Sequence, residues 1–565
     1  MWRPVLGHVI TFIALFMVIN LIGGYYAQTI SPEIVGFIHD DGIYAVLGKA
    51  LAQGQGFNLI HLVSQPEQVK YPIGYPLILA LGWLMDPVFP RNLFLLTNIT
   101  LLFSLLSMFL IFYYLTSVKK IPGWLAFTIM LMCAGNFYFM YFSTSVMSEA
   151  PYLFFTLLTL FYAETKLKNP TLTRVLIAVV LSACAFHVRI LAFTLIAAIS
   201  LWLWLNRPKK WALLYGGLTT LLTAVPWAIW TKTNTPAELT PITYPIYKAY
   251  GNYGFEMLEN YSEKNLLDGI LQTIGSFIHK LLEVMFQLIP NFLKIFPKLE
   301  NVLTTETYLV YLGIVMICAY VLLGYFILQL IMFAKEYKKN RDLSQVSMAA
   351  LYVVFYILAC SVWKYDAQMT RFLVILTPWL WYYFFKPFLP AIQTHGYKKA
   401  WPQLAGMAVI IALCLGPSQH AYGGVYYSRE KNWVDMGKYP QLWDDYKASF
   451  VFINTHLPKN AVLACEEDVL YYLYTNRLTY YAYFGALKRD GENYTTESLQ
   501  NLIPSTTHYG VDYVIVEPMM KDRMVHAPEN PVALYILENH PNKHRLIYTS
   551  PTGMIKIYRL LPPSL

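Results

Sequence analysis

The chain has 565 residues, of which 56% are apolar and only 13% charged, and its mean hydropathy is +0.42. A typical soluble domain carries about 25% charged residues, so these figures exclude an ordinary soluble protein, a disordered chain, a coiled coil and a disulfide-stapled scaffold. What remains is a polytopic membrane protein, and the 16% of aromatic residues suits long stretches at a membrane–water boundary.

A bilayer-crossing helix needs roughly 20 apolar residues. Eleven stretches qualify as candidates: 5–24, 93–115, 122–140, 147–164, 173–187, 190–205, 211–230, 307–333, 346–363, 372–389 and 401–417. The first is too long for a cleaved signal peptide and ends in bulky Tyr25 and Tyr26. The loop after it, 25–92, begins His39-Asp40-Asp41-Gly42-Ile43-Tyr44, with apolar side chains at 43, 46, 47, 50 and 51. That spacing predicts a short amphipathic helix lying along the membrane surface, capped by Asp40 or Asp41 and ended by Gly54. Lys70-Tyr71-Pro72-Ile73-Gly74-Tyr75-Pro76-Leu77 follows, a rigid turn into an apolar stretch that stops at Asp86-Pro87. Further along, segment 231–306 starts polar and rich in tyrosine, and its apolar part, 266–296, reads as an interfacial or re-entrant helix.

Residues 418–565 read as a small soluble α/β domain, with strands at 461–465, 512–516, 546–548 and 554–558 and helices at 442–456, 466–474 and 529–539. The tail has neither a glycine-rich phosphate loop nor a nucleophile elbow. Of the six cysteines only Cys465 falls in a polar region, and no spacing matches a zinc site.

The net charge of +9 has a topological origin. If the N-terminus is cytoplasmic, the cytoplasmic segments hold 16 bases against three acids, and the opposite side 26 against 30. No basic stripe is left to neutralise phosphates, which argues against a nucleic-acid partner. The expected fold class is therefore a polytopic α-helical membrane protein with about 11 transmembrane helices and outer juxtamembrane helices. A catalytic membrane domain over 1–417 precedes an extracytoplasmic α/β domain over 418–565. The location is the plasma (inner) membrane, with the N-terminus inside.

Candidate chemistry gathers at the outer boundary. Asp40 and Asp41 read either as helix caps or as a general base, since partial desolvation near lipid raises a carboxyl pKa. Arg371 reads as an anchoring cation or as a bidentate phosphate ligand. His187 and Arg189 form a polar point between two spans, where Arg189 could equally snorkel. Lys70 follows the first loop's surface helix, and Glu149 opens a span in Ser148-Glu149-Ala150-Pro151.

In this order the motifs resemble those of the GT-C glycosyltransferases that use polyprenyl-phosphate sugars. The nearest groups are the protein mannosyltransferases and the aminoarabinose transferases of lipid A. The resemblance rests on Asp40-Asp41-Gly42-Ile43-Tyr44, on the Lys70–Leu77 turn, on Ser148–Pro151, and on Arg371-Phe372-Leu373 with Pro378. Two features depart from the pattern: Val69 stands where some lipid-modifying members have glutamate, and the turn lacks consecutive prolines. What the resemblance implies is transfer of a sugar, with inversion, from a polyprenyl phosphate in the outer leaflet to an acceptor outside the cytoplasm. Asp40 and Asp41 would be the catalytic pair, Asp40 as the base and Asp41 orienting the site or exchanging roles with it. Arg371, with Lys70 or Arg189, would hold the leaving phosphate, and Tyr44, Tyr71, Tyr75, Glu149 and His187 would contact substrate. No cofactor or metal is expected, because two adjacent carboxylates are a poor cage. Two rivals use the same residues: a transporter or flippase of lipid-linked sugars, and a non-catalytic scaffold whose tail binds a partner.

Overall fold

A computed structural model describes residues 2–28, 30, 35–36, 39–254, 274–276, 347–362, 372–386, 389, 441–482 and, with short gaps, 489–561. The candidate spans 307–333 and 401–417, Arg371, nearly all of segment 266–296 and the domain boundary at 417/418 lie outside the described residues.

The nine candidate spans that fall on described residues are all helical. They begin with α1 (Trp2–Ala27); after the first loop come α4 (Leu93–Tyr113), α5 (Gly123–Ala134), α6 (Phe137–Ser143), α7 (Glu149–Lys166), α8 (Leu172–Val188), α9 (Phe193–Asn206), α10 (Lys209–Leu222) and α11 (Ala224–Asn234). Two more, α13 (Met348–Val362) and α14 (Thr377–Phe385), close the helical part. Among the described residues two continuous stretches, Leu93–Val118 and Lys209–Asn234, are long and apolar enough to cross a membrane. One other candidate is cut shorter by an identifiable break. Stretch 122–140 is split at Gly135-Asn136, where the Asn136 side chain accepts from the amides of Tyr138 and Phe139 and starts a new helix. Outward faces are apolar, with Phe94, Leu102 and Leu106 exposed on α4 and Leu172, Leu176 and Val180 on α8. Continuous exposed apolar stripes of this kind belong against lipid or another protein.

The first loop holds α2 (Asp40–Ala52) and α3 (Gly74–Met85), and segment 231–306 holds α12 (Tyr244–Tyr250). The tail is an α/β unit with α15 (Leu442–His456), β1 (Val462–Cys465), α16 (Asp468–Thr475), β2 (Leu478–Tyr481), α17 (Thr496–His508), β3 (Tyr513–Val516), α18 (Pro531–Asn539), β4 (His544–Thr549) and β5 (Lys556–Leu560). Sheet order is β2-β1-β3-β5-β4. β1 runs parallel to β2 and β3, and β5 runs antiparallel to β3 and β4.

The tail is docked on the first loop. Residues 61–63 extend the sheet past β2: the Thr479 amide donates to the His61 carbonyl at 2.8 Å, and the Val63 amide to the Thr479 carbonyl at 3.0 Å. The Lys49 ammonium donates to Asn476 at 3.0 Å and lies 4.5 Å from the Tyr472 ring. The Ser505 hydroxyl of α17 donates to the Ile242 carbonyl at 2.7 Å.

This docking corrects the picture of α2 as an amphipathic helix with one face in water. Ile43, Tyr44, Ala45, Val46, Leu47 and Gly48 are all buried, so the helix has no long wet face. One side packs on α3, where a Cβ on Gly48 would come 2.9 Å from Leu79; the other packs on α16, where a Cβ on Gly42 would come 2.7 Å from Val469 Cγ1. The capping expectation is corrected too. His39 is the N-cap residue, with no side-chain cap bond, and Asp40 and Asp41 fall inside the first turn. Gly54 does follow the helix end, at φ +69°.

Because Gly42 also lies 3.0 Å from Gly36 Cα through that same virtual Cβ, Gly42→Ala is expected to destabilise the protein by about 1–3 kcal/mol through overpacking. Pairing it with Val469→Ala should recover most of the loss. Thermal melting of the full-length single and double variants measures both effects.

Candidate active site

The start of α2 is built by its own sequence. Gly36 takes φ +112°, a conformation open to glycine, and lies against Leu470 of α16. The Asp41 carboxylate accepts from the amides of Gly36 at 3.0 Å and Gly42 at 2.8 Å, and the residue is buried. His39 closes this turn with its amide on the Gly36 carbonyl at 2.8 Å, and its backbone sits at φ 65°, ψ −58°. A non-glycine residue there costs on the order of 1–3 kcal/mol, a strain typical of functional sites.

The two acids thus have different surroundings. Asp41 is turned inward and engaged by the backbone. Asp40 is only partly buried and accepts a hydrogen bond from the Tyr71 hydroxyl at 2.5 Å. Burial and the Asp40 charge hold the Tyr71 pKa well above its ordinary value, so Tyr71 keeps its proton and remains the donor.

Around Asp40 the Tyr-Pro-Ile-Gly-Tyr-Pro turn supplies a wall of rings. Tyr44 packs 5.1 Å from Tyr71 and 5.0 Å from Tyr75, centroid to centroid. Tyr253, just after α12, meets Tyr71 edge-on at 6.3 Å, and the Lys70 ammonium lies 5.4 Å from the Tyr253 ring. The glycine of the turn has a steric reason. A Cβ on Gly74 would lie 2.6 Å from the carbonyl carbon and oxygen of His187. That close approach brings the end of α8, and with it Arg189, beside the turn.

Arg189 pairs with Glu149 at 2.7 Å, and both side chains are nearly buried. Its guanidinium also donates to the Ser148 hydroxyl at 3.2 Å, which in turn hydrogen-bonds Tyr44 at 3.0 Å. The Phe372 ring covers it at 4.5 Å. A buried pair at this spacing fixes the guanidinium in place. His187 is placed apart from this group: its ring pairs with the Leu222 carbonyl at 3.0 Å. The structure therefore gathers Asp40, Tyr44, Lys70, Tyr71, Tyr75, Glu149 and Arg189 in one region, with Asp41 behind them.

The fold can be placed among known ones at this point. No family model and no curated protein sequence matches the chain. A solved structure does: ArnT from Cupriavidus metallidurans bound to undecaprenyl phosphate, 9% identical, with 98% of each chain covered and a TM-score of 0.52. The apo state of the same protein aligns over 98% of both chains at 10% identity, with a TM-score of 0.46. The chain shares the fold of ArnT. The likeness is one of fold, and it runs over almost the whole length of both proteins.

Within this ArnT-like fold the tail brings residues that sequence reasoning missed. Asp468, at the first turn of α16, is fully buried, and it accepts from the Tyr250 hydroxyl at 2.5 Å. His61 and His39 approach the same carboxylate at 3.3 and 3.8 Å. The available signal was the run Glu466-Glu467-Asp468 at the end of a strand, where open α/β sheets place their sites. Among the described residues no group of three His, Cys, Asp or Glu side chains is arranged to hold a metal ion.

Glu466, Glu467 and Glu517 are buried beside Asp468. Glu517 accepts from the amides of Glu466 at 2.7 Å and Glu467 at 3.1 Å. Burial, helped by the neighbouring carboxylates, pushes Glu466 and Glu467 well up. Burial pushes Glu517 from 4.5 up to about 7. A raised carboxyl pKa means that the folded chain holds the proton more tightly than the unfolded chain. That stabilisation is complete below the unfolded value and is lost as pH rises through the folded one. Glu517→Gln, which stays neutral, should therefore raise the melting temperature at pH 8 more than at pH 5, as thermal melts of the full-length protein at the two pH values will show.

Proposed function

We propose that the chain is a GT-C-type membrane glycosyltransferase. It would move a sugar from a polyprenyl-phosphate donor to an acceptor outside the cytoplasm, with inversion at the anomeric carbon. The observation that carries this reading is the gathering of one accessible carboxylate, Asp40, with Lys70 and the braced Arg189 at the start of α2. It is supported by the likeness in fold to an ArnT that was solved with undecaprenyl phosphate. The apolar outer faces of the helices and the one-sided distribution of basic loops support about 11 spans in the plasma (inner) membrane. In this topology the N-terminus is cytoplasmic and the tail lies outside.

Each group then has one task. The acceptor hydroxyl loses its proton to Asp40 as its oxygen attacks the anomeric carbon. The Tyr71 hydroxyl, donating to Asp40, holds the carboxylate in one orientation. The bond from the anomeric carbon to the phosphate oxygen breaks on the opposite face, and the phosphate leaves with the electron pair. Lys70 and Arg189 stabilise the charge that develops there, and Glu149 holds Arg189 in place. Arg371 would join them, as the family resemblance implies. Asp41 shapes the start of the helix without touching substrate. The tyrosine rings at 44, 71 and 75 provide faces for the sugar. The reaction as proposed uses no metal or other cofactor. The sugar and the acceptor are left to experiment.

Two variants test this reading in a deletion strain supplied with each gene. Asp40→Asn should lower the sugar increment on envelope lipids, glycans or secreted proteins, read by mass spectrometry, by about 100-fold or more, while the protein still reaches the membrane fraction. Transfer retained by this variant would contradict the assignment of the base. Lys70→Gln should weaken binding of undecaprenyl phosphate to the purified full-length protein by about tenfold, as expected for one charged hydrogen bond. Unchanged binding would remove Lys70 from the phosphate site.

A further inference from the structure

The cluster around Asp468 joins four separate parts of the chain: the start of α2 (His39), the middle of the first loop (His61), the end of α12 (Tyr250), and the tail (Asp468 and Tyr481). Its hydrogen bonds close on one hydroxyl. Tyr250 donates its single proton to Asp468 at 2.5 Å. Its oxygen lies 3.1 Å from His39 Nε2 and 3.2 Å from His61 Nε2, and a hydroxyl oxygen can accept from both. With Nε2–H on each ring, Tyr250 is fully satisfied. His61 is buried, and among the described residues its Nδ1 has no hydrogen-bond partner, so Nε2 makes the ring's hydrogen-bond contact with the cluster. The His39 ring is held from the other side by Tyr481, stacked at 4.8 Å.

His39 is the residue immediately before Asp40, and its backbone sits in the strained conformation described above. A conformation of that kind persists only when its surroundings over-determine it. Here those surroundings are the imidazole contacts on one side and the Gly36 turn on the other. We propose that Asp468, Tyr250 and His61 are positioning residues for the transferase reaction. They act through His39 to aim the Asp40 carboxylate, so that the tail domain sets turnover and not the hold on the donor. The inference rests on Asp40 being the base. The hydrogen bonds of these three residues run to one another and to His39, whereas Arg189 is braced by Glu149 and Lys70 lies over Tyr253, so losing them should leave lipid binding intact.

The test uses full-length Tyr250→Phe, His61→Leu and His61→Gln beside Asp40→Asn. Three quantities are read: the sugar increment in the deletion strain per amount of protein, the Kd for undecaprenyl phosphate, and the melting temperature. Tyr250→Phe and His61→Leu should lower the increment about tenfold or more, as expected when a reacting group is misplaced. Their Kd should stay within about twofold of wild type, and their melting temperatures close to it. His61→Gln, whose amide can still donate to Tyr250, should recover most of the activity. The proposal is overturned if Tyr250→Phe and His61→Leu transfer sugar like the wild type. It is equally overturned if the increment and the melting temperature fall together while Kd rises by much more than twofold, or if His61→Gln is as impaired as His61→Leu. An inactive Asp40→Asn beside fully active Tyr250→Phe and His61→Leu would sink the positioning role alone, whereas an active Asp40→Asn would sink the base itself.

Discussion

Two helix N-termini meet in this protein, and the rest of the site depends on how closely they approach. The first turn of α2 carries Asp40 and Asp41, the first turn of α16 carries Asp468, and carboxylates at such ends are favoured by the helix dipole. Three like charges would repel one another, so each is given its own partners. Asp41 takes two backbone amides, Asp40 takes the Tyr71 hydroxyl, and Asp468 takes Tyr250 and the imidazoles. Glycine at 36 and 42 lets the backbone of the first loop lie directly on Val469 and Leu470. With side chains at those positions the tail would stand off, and His39 would lose its contacts.

This arrangement separates two adjacent acids that look equivalent in the sequence. Their difference comes from which face of one helical turn points at the tail and which points at the tyrosine wall. The same logic applies to the cations. Arg189 is held by Glu149, while Lys70 opens the turn and lies over the Tyr253 ring. A second buried pair, Lys119 with Glu164 at 2.6 Å, lies at the other end of α7. At 1.5 Å per residue it is about 20 Å from Glu149. There the Glu164 carboxylate accepts from the Ala349 amide at 2.9 Å and so serves to join α7 to α13.

Much of the fold was legible from pattern alone. Apolar runs fell on helices at every candidate stretch that lies on described residues, although only Leu93–Val118 and Lys209–Asn234 among those residues are long and apolar enough to cross a membrane. Tail strands such as Tyr513–Val516 stood out as short β-branched runs between turn residues. The misjudged element was α2. Its apolar spacing is real, but its glycines let the tail cover the side that a periodicity argument assigns to water. Asp468, His61 and Tyr250 escaped notice because they converge only through the docking of the tail, and each looks ordinary in its own segment. His187 was chosen for its nearness to Arg189 in sequence, but the helix end between them turns the two side chains to different neighbours.

The most direct measurement is an experimental structure of the full-length protein with undecaprenyl phosphate bound in a lipid nanodisc. The account predicts phosphate density within hydrogen-bonding reach of Lys70 or Arg189, on the side of α2 that presents Asp40. Phosphate density at the Lys119–Glu164 end of α7, or an Asp40 carboxylate shut off from the lipid-bound phosphate by the tail, would contradict it.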